Sequence, residues 1–116
     1  MKKKPDAPLD ALRREYKRLS ERLAAIGYIS QGTVLDRSTL RSPRAGYQWT
    51  RKVAKKTISV ALSPEQYQSL KQAIANRREL DKTISKMERL SRQILFQTLP
   101  DTKRRKPLRK KVLGLV

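Results

Sequence analysis

Seven Lys or Arg residues fall between positions 37 and 56 with no acid among them. They are Arg37, Arg41, Arg44, Arg51, Lys52, Lys55 and Lys56, and Gln48, Thr50, Tyr47 and Trp49 are interleaved with them. Cationic side chains grip phosphates, while Arg, Lys, Gln and Thr reach base edges in a DNA major groove. Aromatic rings in the same stretch could stack unpaired bases. They could equally lie in a core, and the face that Tyr47 and Trp49 share with Val53 favours the core. A second cationic run, Lys103-Arg104-Arg105-Lys106-Pro107-Leu108-Arg109-Lys110-Lys111, reads as a flexible arm that binds phosphates and orders on contact. Smaller patches are Arg13, Arg14, Lys17 and Arg18, and Arg77, Arg78 and Lys82. There, pairing with nearby acids, such as Arg78 with Asp81 or Lys82 with Glu79, is the simpler reading.

The whole chain carries the same imbalance. Its 116 residues hold 29 Lys or Arg against ten Asp or Glu, a net charge of +19 with no histidine. So small a domain repels itself strongly at that charge, which points to a polyanionic partner, nucleic acid first. Catalysis fits poorly. Asp36 is the sole acid between Glu21 and Glu65, so paired carboxylates for hydrolysis cannot be drawn from the centre. There is no Cys or His, no glycine-rich phosphate loop and no nucleophile elbow, and no cofactor or metal is implied. No stretch approaches the roughly 20 apolar residues of a membrane span. Met1-Lys2-Lys3-Lys4 is followed by acids rather than an apolar run, unlike a signal peptide. A cytoplasmic, nucleoid-associated location fits this composition.

These residues need elements to position them. Leu9, Leu12, Tyr16, Leu19, Leu23 and Ile26 recur at alternating spacings of three and four, which predicts a helix over 7–26 with a coiled-coil type seam. Asp6 is its expected N-cap and Gly27 its left-handed C-terminal residue. Strands are expected over 32–40, 47–53 and 57–62, with a loop at 42–46 and a turn at 54–56. In the second, Tyr47, Trp49, Arg51 and Val53 alternate with Gln48, Thr50 and Lys52, and in the third Ile58, Val60 and Leu62 alternate with Thr57, Ser59 and Ala61. One face is apolar enough to pack on a helix and the other is free for contact. Ser63-Pro64-Glu65-Gln66 has the form of a capping box, and no Pro or Gly recurs until Pro100, so a helix of about 35 residues, roughly 50 Å, is expected from Pro64 to about Thr98. Its apolar stripe is Tyr67, Leu70, Ile74, Leu80, Ile84, Met87, Leu90 and Ile94, interrupted at Arg77. The first helix is too short to cover all of the second. The second must either break or offer its surplus to a second copy or a larger enzyme.

The expected architecture is therefore α+β: an N-terminal helix, a three-stranded antiparallel sheet, a long C-terminal helix forming a helical hairpin with the first, and a disordered basic tail. Residues 1–6 are a basic lead-in, 7–99 a single helix–sheet–helix nucleic-acid-binding domain, and 100–116 the flexible tail. The expected contacts are Arg37, Arg41, Arg44, Gln48, Thr50, Lys52, Lys55 and Lys56, with Lys103, Arg104, Arg105, Lys106, Arg109, Lys110 and Lys111 adding affinity. The partner is double-stranded DNA first, RNA next, and an acidic protein bound by a coiled-coil adaptor is the rival from another class.

The run Gly46-Tyr47-Gln48-Trp49-Thr50-Arg51-Lys52-Val53, with Lys56-Thr57, Leu62-Ser63-Pro64-Glu65-Gln66 and Ile74-Ala75-Asn76-Arg77-Arg78, resembles a family of short bacterial proteins known as a domain of unknown function. The resemblance covers about residues 10–98. It implies a helix, a small sheet with a Tyr-Gln-Trp-x-Arg-Lys-Val strand and a long helix opening at Ser-Pro-Glu-Gln. It also implies an accessory role in nucleic-acid handling beside mobile-element genes. Many members of that family carry a cysteine cluster before the Tyr-Gln-Trp strand, whereas Thr39 to Ala45 holds none, so what the resemblance implies is a cysteine-less variant. The order of short strands before a capped helix is also similar to the arm-binding domains of tyrosine recombinases, a likeness at the level of fold alone.

Overall fold

The structure, a computed structural model, describes residues 8–103 and 105–116. The expected N-cap Asp6 therefore lies outside the described residues. Two helices and a three-stranded antiparallel sheet make an α+β protein: α1 (Leu9–Ala25), β1 (Thr33–Asp36), β2 (Tyr47–Val53), β3 (Lys56–Leu62) and α2 (Pro64–Thr98). The chain divides into two compact units. One is Ile26–Asp81, and the other joins the N-terminal stretch to Ala25 with Lys82–Val116. The 35 residues of α2 form one unbroken helix that contributes its first half to one unit and its second half to the other. None of the described helices is long and apolar enough to cross a membrane.

In the first unit, the sheet order is β1-β2-β3. The register sets Trp49 between Val34 and Val60, and Gln48 between Leu35 and Ala61. One face thus carries Val34, Tyr47, Trp49, Arg51, Val53, Ile58, Val60 and Leu62, and the other carries Gln48, Thr50, Lys52, Thr57 and Ser59. The first strand is shorter than the expected 32–40. Asp36 ends it: its carboxylate accepts from the Ser38 amide at 3.0 Å and the Ser38 hydroxyl at 2.7 Å, and the Thr39 hydroxyl donates to the Asp36 carbonyl at 2.7 Å. Those bonds turn Arg37–Thr39 into a 3-10 turn, an aspartate competing locally with the ladder. The Ser38 hydroxyl, and after it the Ser38 amide, hold the Asp36 carboxyl below its usual carboxylate range.

The turn between β2 and β3 has two residues, Ala54 and Lys55, both left-handed with φ of 48° and 68°. That is the backbone of a type I′ hairpin, which suits the right-handed twist of the strands but favours Asn-Gly. Substituting Ala54→Asn is expected to raise stability by about 0.5–1 kcal/mol, read as a higher urea midpoint at unchanged slope.

At the start of α2 the capping box is closed in both directions. The Gln66 amide donates to the Ser63 hydroxyl at 3.1 Å, and the Ser63 amide donates to the Gln66 side-chain carbonyl at 2.9 Å. Ser63→Ala leaves the Gln66 amide without that acceptor and is expected to cost about 1 kcal/mol, measured by denaturant unfolding. Further along, the segment after α1 is strapped to α2. The Ser30 amide donates to the Ala73 carbonyl at 3.2 Å, and the Asn76 side-chain amide donates to the Tyr28 carbonyl at 2.9 Å. Ala73 and Ile74 are the buried residues beneath this strap. Gly27, expected to be left-handed, has no positive φ. A Cβ there would sit 3.4 Å from the Asn76 side-chain nitrogen, an ordinary contact.

In the second unit, Leu12 and Leu19 are buried, Leu19 to 1% exposure, and Leu9, Tyr16 and Leu23 are half-buried. The seam expected of α1 is thus the side it buries, while Arg13, Arg14, Lys17, Arg18 and Arg22 are exposed. Leu19, Leu90 and Leu115 line a cleft of about 300 Å³ rimmed by Glu15, Lys86, Arg89 and Gln93. Thr83, only 2% exposed, lies on the same face of α2 as Leu80, Met87 and Leu90, at a polar position that the apolar stripe did not include. Ile84, which the stripe did include, is 40% exposed. The tail, expected to order only on contact, ends in a hydrogen-bonded turn. The Leu115 amide donates to the Lys110 carbonyl at 2.9 Å and the Gly114 amide to the Lys111 carbonyl at 3.2 Å. With Gly114 at φ 71°, these bonds form a Schellman closure. The Arg92 guanidinium donates to the Leu113 carbonyl and so fastens this turn to α2.

Candidate nucleic-acid interface

Three of the sequence-predicted contact residues, Gln48, Thr50 and Lys52, stand at alternate positions of β2 and share the polar face. Arg37 joins them, its Nε donating to the Gln48 side-chain oxygen at 3.2 Å. Its backbone organises the loop that follows. The Arg37 amide donates to the Gly46 carbonyl at 2.9 Å, and its carbonyl accepts from Leu40 at 3.3 Å and Arg44 at 3.2 Å. This curl keeps Arg41 and Arg44 in one loop, both exposed, at the end of the sheet opposite the hairpin turn. Gln48 is therefore occupied by Arg37, and Thr50 meets the Ser59 hydroxyl across the strands at 3.3 Å. The first bond engages only the Gln48 side-chain oxygen, so its NH2 group can still donate to a base edge, and the Thr50 hydroxyl retains acceptor capacity.

Lys52, Lys55 and Lys56 cluster at the other end, and all are exposed. Strand alternation separates them: Lys52 belongs to the polar face, Lys55 to the turn, and Lys56 to the face of Val53. The tip therefore offers charge in three directions, on a turn whose two left-handed non-glycine residues hold it in an uncommon backbone state. Among the described residues, none of Arg41, Arg44, Arg51, Lys52, Lys55 and Lys56 takes part in an ion pair.

The aromatic residues are engaged inside their own unit. Tyr47 stacks on Tyr67 of α2 with ring centroids 4.3 Å apart and planes at 26°. Trp49 is half-buried and donates its indole N–H to the Gln31 carbonyl at 2.9 Å. Two cations that the expected contact set omitted accompany these rings. Arg51 lies 5.4 Å from the Trp49 ring centre and Lys71 lies 5.8 Å from that of Tyr67. Both were accessible from spacing, since Arg51 is two residues along a strand from Trp49 and Lys71 four along a helix from Tyr67.

The tail cations are divided. Lys103, Lys106, Arg109, Lys110 and Lys111 are exposed, and Arg104 lies outside the described residues. Arg105 is half-buried, paired with Asp101 and placed 5.1 Å from the Phe96 ring centre, so it is committed internally. Arg92, which fastens the tail, was beyond sequence reasoning, because its partner carbonyl is 21 residues away. On the helices, Arg77 rather than Arg78 pairs with Asp81, at 3.1 Å, the i,i+4 geometry winning over i,i+3. Arg18 pairs with Glu15, whose carboxyl that hydrogen bond holds below its ordinary value. Compared with known proteins, the chain matches no family model, no curated sequence and no solved structure.

Proposed function

We propose that this chain is a non-catalytic nucleic-acid-binding accessory protein that grips double-stranded DNA through its sheet and basic tail. The observation that carries the reading is the segment 37–56, whose seven cations have no acid in their stretch of sequence and six of which are exposed toward the two ends of a small sheet. Exposed cations left without ion pairs are what phosphates neutralise, with release of the counterions on both sides. The polar face of the sheet, with Gln48, Thr50, Lys52, Thr57 and Ser59, has the width of a ribbon that enters a major groove. α1 and the second half of α2 act as a helical hairpin that supports the tail cations. The setting is a mobile-element or other DNA-processing assembly, as the family resemblance implies, with a larger enzyme supplying the chemistry.

A second reading has its own observation. Leu95, Phe96 and Leu99 are exposed at the end of α2, which favours a helix docked on a protein. Salt separates the two. A duplex binder engaging about six phosphates loses affinity with a slope near −5 in log K against log salt. That slope is expected in a fluorescence titration of a labelled duplex, with a hairpin RNA run beside it. Tighter binding to the RNA reassigns the partner to RNA. A protein that shifts neither, and that forms a nuclease-resistant complex with an acidic protein, overturns the proposal.

A further inference from the structure

The strand β3 is an open sheet edge with unusual properties for a protein of this charge. It runs seven residues against four in β1 on the other side, and all of Lys56 to Ala61 are exposed. Its register against β2 is one-to-one from Val53↔Lys56 to Tyr47↔Leu62, so no bulge blunts it. From Thr57 to Leu62 it contains neither charge nor proline. The usual devices that protect an edge are thus absent along this length. A ladder that closes on a two-residue turn pairs its closing residues by hydrogen bonds and then alternates. Lys56, Ile58, Val60 and Leu62 accordingly bond inwards, and the N–H and C=O groups of Thr57, Ser59 and Ala61 point away from β2. Beside them Ile58 and Val60 are 40% and 43% exposed.

We infer that β3 receives an acidic extended peptide as a fourth, antiparallel strand. The backbone ladder takes three residues of the peptide, and alternate apolar side chains lie beside Ile58 and Val60. Charge identifies the occupant. Lys56 and Lys55 stand at one end of the edge, Arg51 and Lys52 stand one strand in, and no acid occurs from Arg37 to Pro64. A second copy would bring another +19 to the same edge. Nucleic acid has no alternating amide ladder with which to satisfy the strand. In the antiparallel sense the C-terminal end of the peptide lies beside Lys56, so its carboxylates belong there. Its ladder is the backbone edge of β3 rather than the polar face assigned to DNA, but Lys52, Lys55 and Lys56 serve both readings, so amide exchange along the edge, not those cations, tells the two apart.

The probe is a fluorescein-labelled peptide, Thr-Val-Thr-Val-Asp-Glu-Asp, compared by anisotropy with Thr-Val-Thr-Val-Lys-Lys-Lys on the full-length protein. The acidic peptide is expected to bind at least about tenfold more tightly. Ala61→Pro removes an outward N–H at a position where an edge strand tolerates proline, and is expected to weaken the peptide about tenfold while duplex affinity stays within about twofold. Amide exchange on the unaltered protein gives a readout that needs no variant. Peptide should slow exchange at Thr57, Ser59 and Ala61 and leave Ile58 and Val60, already bonded inwards, unchanged. Absence of binding, equal binding of both peptides, or binding without that alternating protection overturns the inference. So does the same protection pattern produced by duplex DNA. Loss of duplex binding with peptide binding intact would sink the DNA reading alone.

Discussion

Replacing Lys52, Lys55 and Lys56 together by Gln lowers the affinity for a DNA duplex by roughly two to three orders of magnitude at about 0.1 M salt. The expectation follows from the tip geometry. All three ammonium groups are exposed, and none is held in an ion pair among the described residues, so their loss costs binding rather than folding. Each duplex phosphate contact contributes about 0.9 to the salt slope, so the slope should also flatten by about 2.7. The fall should be similar for unrelated duplex sequences, since phosphate contacts carry no base information. A variant that keeps its circular dichroism spectrum and loses less than about threefold in affinity with an unchanged slope removes the hairpin tip from the interface. Equal weakening for DNA and a flexible polyanion such as heparin would leave the tip as a general cation site.

Substituting Gly32→Ala is expected to destabilise the sheet unit by about 2–4 kcal/mol, well above an ordinary surface change. Gly32 has φ of 106°, which a residue with a Cβ rarely adopts. The added carbon would fall 2.4 Å from the Trp49 indole nitrogen and 2.8 Å from the Thr50 carbonyl oxygen. The second atom is backbone in the central strand and cannot rotate away. The indole is itself held by the Gln31 carbonyl, so relief on one side breaks that bond. Trp49 is the one tryptophan of the chain, and its emission therefore reports the site directly. The expected observations are a lower denaturation midpoint and a red-shifted native spectrum. Gly27→Ala is the control, within about 0.5 kcal/mol of the parent, because its φ is not positive and its neighbour is a side chain. Equal stability of the Gly32→Ala protein would show that the approach of Gly32 to Trp49 is not what holds this corner.

Particular residues show how far reasoning from sequence reached. Ser63 and Gln66 sit three apart, and the capping box they form was legible because every atom in it lies within one helical turn. The alternation of Gln48, Thr50 and Lys52 was legible for the same reason, since strand geometry alone puts them on one face. The end of β1 was not, although Asp36 and Ser38 are only two residues apart. An Asp-Arg-Ser run is compatible with strand or turn, and the outcome depends on the Gly46 carbonyl that receives the Arg37 amide. The exposed Ile58 and Val60 were also missed. Their apolar alternation promises burial, but the helix meets that face where Tyr47 stacks on Tyr67, at the far end of the strand from the turn.

From composition and short-range spacing alone came the excess of cations, the order of two helices around a three-stranded antiparallel sheet, the unbroken length of α2 and the division of the sheet into two faces. These depend on charge balance and on dihedral preferences within about four residues, so they survive without knowledge of the rest of the chain. Tertiary structure decided which side chains remain available. It committed Gln48 to Arg37, Trp49 to Gln31, Arg105 to Asp101 and Phe96, and Arg92 to Leu113, and it joined Asn76 to Tyr28 across 48 residues. Such partnerships depend on which distant segments meet when the loops close. That meeting is set by the sum of many weak contacts against chain entropy, and no local pattern encodes it.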